Sequence, residues 1–138
     1  MLIVLDTNVL VSGLLSPFGP PARVLDQVLS NIVQVAFDDR ILDEYAEVLS
    51  RPVFHFDPGD VSALIEHIRL NGLHVSPAPL KSFDWPDLGD LPFAEVAVGA
   101  SSDALVTGNV RHFKLLRLVP VLTPRELIEI LQGLLGAN

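Results

Sequence analysis

The sequence predicts an α/β fold in which a mostly parallel sheet of about five strands is covered by helices on both faces. Three observations predict it. Short apolar runs recur between segments of helical period, the alternation of βαβ units rather than of bundles or sandwiches. The first run, Leu2-Ile3-Val4-Leu5, is uninterrupted by polar residues, as suits a strand buried on both faces. It ends at Asp6, which puts a carboxyl group at the carboxyl end of a strand, where open α/β sheets bind ligands.

Each element has its own local warrant. Further strands are expected over Val33 to Phe37, Leu73 to Val75, Ala104 to Thr107 and Val119 to Leu122. Asp38 is the expected N-cap of a helix whose apolar face is Ile41, Leu42, Tyr45, Val48 and Leu49. At about 100° per residue Glu44 borders that face, whereas Asp43 and Glu47 point away into water. Asp57-Pro58-Gly59-Asp60 supplies an N-cap, a proline at the first helical position and an acid in the first turn, and Asn71-Gly72 is the stop. From Ser76 to Asp90 the prolines Pro77, Pro79 and Pro86 and Gly89 predict a loop. Asp90 then reads as the N-cap of a helix opening Leu91-Pro92-Phe93. Thr123-Pro124-Arg125-Glu126 is a capping box for a last helix from about Pro124 to Leu131.

Composition narrows the class. At 138 residues, 49% hydrophobic, with a mean hydropathy of +0.44, the chain suits one globular domain spanning residues 1–138. No apolar run approaches the ~18 residues of a membrane span, and Asp6 interrupts the apolar start, so a soluble cytoplasmic protein is expected. With no cysteine and four scattered histidines, a metal would be held mainly by oxygen. The net charge of −8 argues against non-specific nucleic-acid binding over the whole surface. Even so, Arg111, Lys114, Arg117 and Arg125 are four of the nine basic residues, with no acid between them. Such a run is either a solvated face or a local phosphate contact.

Asp6, Glu44, Asp87 and Asp90 all fall where the predicted topology brings chain to one sheet edge. Singly each has an ordinary role as a cap, a boundary residue or a turn residue. Together they would repel unless a cation neutralised them, and Mg2+ or Mn2+ suits oxygen donors. The chain has no Gly-x-Ser-x-Gly elbow and no Gly-x-x-x-x-Gly-Lys phosphate loop.

Four segments in order carry a resemblance. They are Met1 to Leu10 with Asp6-Thr7-Asn8, Ile41 to Pro52 with Glu44, Asp90-Leu91-Pro92-Phe93, and Ala104 to Phe113 with Thr107-Gly108-Asn109. Over nearly its whole length the chain resembles the PIN-domain family, in particular the branch of toxins from toxin-antitoxin pairs related to VapC-type ribonucleases. The resemblance implies a three-layer α/β/α fold and a Mg2+- or Mn2+-dependent endoribonuclease. Carried over by position, it implies Asp6, Glu44 and Asp90 as catalytic metal ligands.

The family's fourth acid often follows Thr-Gly, where this chain has Asn109, an amide that brings no charge. Asp87 is the alternative donor. Asp103 does not easily substitute, because it begins the strand and lies ~13 Å from Thr107 at ~3.3 Å per residue. Thr7, Asn8 and Thr107 are expected either to orient the carboxylates or to cap the local turns. Arg111, His112 and Lys114 follow Asn109 at the same edge and could hold phosphate, with Arg111 the expected RNA contact, whereas His112 taken alone reads as an ordinary boundary histidine. The resemblance also implies a cognate antitoxin, and the apolar segment from Leu127 to Leu135 offers a homodimer surface or packs on its own sheet. The competing expectation is a PIN-like module of weak or no activity that binds RNA or protein.

Overall fold

The computed structural model describes residues 1–81 and 85–136, with no side-chain description at 135 and 136. Among these residues the strands are β1 (Leu2–Leu5), β2 (Gln34–Phe37), β3 (Leu73–His74), β4 (Ala104–Val106) and β5 (Val121–Leu122). The α-helices are α1 (Thr7–Leu15), α2 (Pro20–Leu29), α3 (Asp39–Leu49), α4 (Pro58–Asn71), α5 (Leu91–Gly99) and α6 (Pro124–Gly136). All five strands pair in parallel in the order β3-β2-β1-β4-β5.

That order locates the site. From β1 the chain steps outward to β2 and β3, then returns past β1 to β4 and β5. The direction of winding therefore reverses between β1 and β4, and a crevice opens outside their carboxyl ends. Right-handed crossovers put α5, which follows the reversal, on the face opposite α1 and α2. Accordingly α5 packs on β1, β2 and β4, while α2 packs on α1, α4 and α6. The uninterrupted apolar strands follow from this double cover: Ile3, Val4, Leu5, Leu105 and Val106 are fully buried.

The expected local signals form. The Asp38 carboxylate accepts from the Ile41 amide at 3.1 Å, and Asp57 accepts from Gly59 and Asp60 at 2.7 and 3.2 Å. Thr123 and Glu126 exchange reciprocal bonds, the Thr123 amide donating to Glu126 at 2.9 Å and the Glu126 amide to Thr123 at 3.1 Å. Gly72 ends α4 for a reason other than a left-handed turn, since its φ is −80°. An added Cβ would lie 2.5 Å from both the Ile68 and Val35 carbonyl oxygens, so the glycine allows α4 to meet β2.

Some boundaries move. The last helix continues past Leu131 to Gly136, running through Gly133, with no proline after the expected end to stop it. Two strands are shorter than expected at their starts, beginning at Gln34 and Val121. The other two end one residue early, but Val75 and Thr107 still donate to Phe37 and Leu122 at 2.9 Å. The predicted loop holds a 3-10 turn at Leu88–Asp90, and its residues 82–84 lie outside the described residues. Leu127, Ile128 and Leu131 face inward, leaving Ile130 and Leu134 exposed.

Candidate active site

Asp6 follows β1 directly, and Thr107 follows β4. Asp6 is buried, and its Oδ2 accepts from the Thr107 hydroxyl at 2.7 Å across the point of reversal. It stands at the N-cap position of α1 but makes no side-chain cap bond there, so the alternative role as N-cap is not realised. The Asn8 amide oxygen accepts from the Gly108 amide at 3.0 Å and ties the same two segments together. Thr107 Oγ1 also accepts from the Asn109 amide at 3.0 Å.

Helix α3 delivers Glu44 to this edge. Its inner face buries Ile41, Tyr45 and Leu49, and the fully buried Tyr45 hydroxyl donates to the Leu5 carbonyl at 2.6 Å, one residue before Asp6. Glu44, on the border of that face, accepts from the Thr7 hydroxyl. Asp43 and Glu47 are exposed, and Glu47 pairs with Arg51 at 2.9 Å. Thr7 and Thr107 thus each orient one carboxylate, whereas Asn8 does neither that nor cap a local turn but joins the segment after β1 to the one after β4. Asp103 sits at the opposite end of the sheet, where its carboxylate accepts from the Leu2 amide at 2.8 Å.

Asp90 and Asp87 arrive from the other side of the crevice. Asp90 occupies the N-cap position of α5 but makes no cap bond, because the preceding 3-10 turn holds its backbone near helical at φ −82°, ψ −17°. Asp87 is exposed and accepts from the Gly89 amide at 2.8 Å. Asp90 Oδ2 is buried with no donor aligned on it, although His112 Nδ1 is 3.2 Å away. Among the described residues one compact donor group forms, in which single atoms of Asp87, Asp90 and His112 lie within 4.8 Å of one another. Asp6 and Glu44 stand outside that group, each turned to its threonine.

The carboxyl groups share one field. Burial raises Asp6 above the usual carboxylate range and Asp87 adds to this, against hydrogen bonds from Thr107 and the Thr7 backbone and the nearby His112. Burial likewise raises Glu44; the Thr7 bond opposes it, and the charge of Asp6 reinforces it. Asp90 is pushed up to about 6 by burial and then by Asp6 and Asp87, with His112 opposing. Negative charge here is poorly hydrated and mutually repulsive, the condition a bound cation relieves.

A family model described as PIN domain matches residues 2–111. The chain belongs to the PIN domain family. No curated protein matches the sequence. Among solved structures, this PIN domain is similar to a chain in the crystal structure of VapBC2 from Rickettsia felis bound to a DNA fragment from their promoter. The TM-score is 0.57 at 16% identity, covering 89% of this chain and 98% of that one. At that identity the likeness establishes the fold.

Two features of this PIN domain escaped the sequence reading. The first is the setting of His112, expected either as a phosphate contact or as a boundary residue: its ring lies between Asp90 and Asn109, with Asn109 Nδ2 at 2.8 Å from Nε2. The signal was Asn109-x-x-His112 just after a strand, since a 3-10 turn eclipses residues three apart, and such a turn forms at Val110–Phe113. The second feature is Glu95, buried in α5, which accepts from Arg40 and from the Leu80 amide, both at 2.7 Å. It fastens the Pro-rich loop to α3. No short-range pattern distinguishes it from a solvated helical glutamate.

Proposed function

We propose that this PIN domain is a metal-dependent endoribonuclease that hydrolyses RNA phosphodiesters as the toxin of a cytoplasmic toxin-antitoxin pair. Asp6, Glu44 and Asp90 are its catalytic residues and hold Mg2+ or Mn2+. The observation that carries this reading is the meeting of carboxyl groups from three elements at the point of reversal, each raised by burial and by a neighbour's charge. The donor set fits a hard divalent ion, because it is rich in oxygen and leaves the buried Asp90 Oδ2 without a donor. When bound, such an ion supplies a water of lowered pKa and stabilises charge developing on phosphate oxygens.

The chain's own residues prepare the site. Thr107 and Thr7 hold the Asp6 and Glu44 carboxylates in place before any ligand arrives. Arg111 and Lys114, just after the end of β4, and Arg117 further along the connection to β5 are exposed and form no ion pair among the described residues, so they are available to hold RNA phosphates. A cognate antitoxin belongs to the proposal, supported by the VapBC2 complex named above. So does a homodimer, for which Ile130 and Leu134 on α6 remain exposed.

The test is incubation of the purified protein with structured and single-stranded RNA, with Mn2+ or Mg2+ and with chelator. Cleavage is expected only with the ion and is lost in Asp6→Asn. Cleavage that survives chelation and is equal in Asp6→Asn would overturn the proposal. A second reading, a PIN-like binding module without activity, is favoured by Asn109, whose amide is engaged with His112 and brings no charge. Its mark would be RNA binding without cleavage under either ion.

A further inference from the structure

We propose that His112 is a metal ligand, its Nδ1 sharing a divalent cation with Asp90 and Asp87, so that the centre is a mixed nitrogen and oxygen site favouring Mn2+ over Mg2+. The proposal rests on the reading of the acids as a cation site and adds to it a ligand of a different kind.

Geometry carries it. The donor atoms of Asp87, Asp90 and His112 converge within 4.8 Å. Asp90 is only 8% exposed, and its Oδ2 has no aligned donor despite lying 3.2 Å from His112 Nδ1. A short separation without alignment is poor for a hydrogen bond. It suits two neighbouring ligands of one ion, since bonds of about 2.0–2.2 Å at right angles set their donor atoms roughly 2.8–3.1 Å apart. Asp87 reaches the cluster from a turn held by the Gly89 amide.

Asn109 completes the arrangement. A ligating Nδ1 must be unprotonated, so Nε2 must carry the proton and donate it. The Asn109 amide stands 2.8 Å from Nε2, and turning it by 180° presents its oxygen as the acceptor at no change in shape. An amide at this position therefore serves the imidazole, which offers a neutral nitrogen donor where a fourth carboxylate would have offered charge. Imidazole binds Mn2+ better than the reluctantly dehydrated Mg2+, which prefers oxygen and water.

The experiment is pulsed electron paramagnetic resonance on the full chain loaded with Mn2+, together with Mn2+ titration and Mg2+ competition. The expected result is a nitrogen-14 modulation from imidazole that disappears in His112→Ala and His112→Gln. Mn2+ binding should weaken at least about tenfold in both variants, with a smaller loss for Mg2+. Both substitutions are at a side chain 43% exposed, and thermal melts verify that the variants fold. Bound Mn2+ that is lost in Asp90→Asn but shows no nitrogen modulation in the wild type would overturn the role of His112 and leave the cation site standing. Modulation persisting in both His112 variants would overturn it too. Absence of any Mn2+ binding would overturn the cation site itself and this proposal with it.

Discussion

At the scale of single residues, Asp90 is the carboxyl group whose ionisation the fold opposes most visibly. Its carboxyl is pushed up to about 6 from an ordinary 3.8, so between those values the folded chain holds a proton that the unfolded chain has released. Stability from this residue is fully present below the unfolded pKa and is lost as pH rises towards 6. In metal-free buffer Asp90→Asn should therefore gain melting temperature relative to wild type as pH goes from 4 to 7, and a constant difference across that range would refute the assignment. A second prediction separates two glutamates one helical turn apart. Glu44→Gln should abolish RNA cleavage with little change in melting temperature, because Glu44 borders the buried face and meets Thr7. Glu47→Gln should alter cleavage little, since Glu47 is exposed and pairs only with Arg51. An inactive Glu47→Gln beside an active Glu44→Gln would reverse the helix phase.

Among the elements, the junction of α4 with β2 and that of α3 with β1 are the most constrained. Gly72 meets two carbonyl oxygens where an added Cβ would lie 2.5 Å from each. Gly72→Ala should accordingly destabilise the chain by about 1–3 kcal/mol, the usual cost of overpacking, measured by urea unfolding. An ordinary stabilising Gly→Ala effect would show that the two elements part easily. On the other junction, Tyr45 ties α3 to the Leu5 carbonyl, and Tyr45→Phe removes one buried bond worth about 1 kcal/mol. Because that bond adjoins Asp6, cleavage should fall by more than stability does.

For the molecule as a whole, charge is unevenly spread. A net charge of −8 repels RNA, so the proposed nuclease would meet its substrate through the local run at Arg111, Lys114 and Arg117. RNA affinity should fall steeply with salt, and Arg111→Ala should lower the slope of log affinity against log salt by roughly 1. An unchanged slope would move the RNA path elsewhere. A cation that binds the folded acidic site alone should also raise the melting temperature, by an amount that grows with Mn2+ concentration.

How much of this was legible depends on range along the chain. The caps at Asp38, Asp57 and Thr123, the phase of Glu44 and the apolar strands are set by residues within a few positions of one another, so periodicity and capping chemistry determine them from sequence alone. The resemblance of four short segments was enough to name the family. Other features needed the assembled molecule. Asp6 and Thr107 are 101 residues apart and bond only because β4 lies beside β1. Gly72 looked like a routine helix stop, and its real constraint comes from the β2 backbone. The roles of Glu95 and His112 come from packing, which sets them against Arg40 and Leu80 and between Asp90 and Asn109 respectively. The physical reason is common to all of these. Local free energies specify each helix and strand, but burial and the meeting of distant charges exist only once strand order brings remote segments to a single edge.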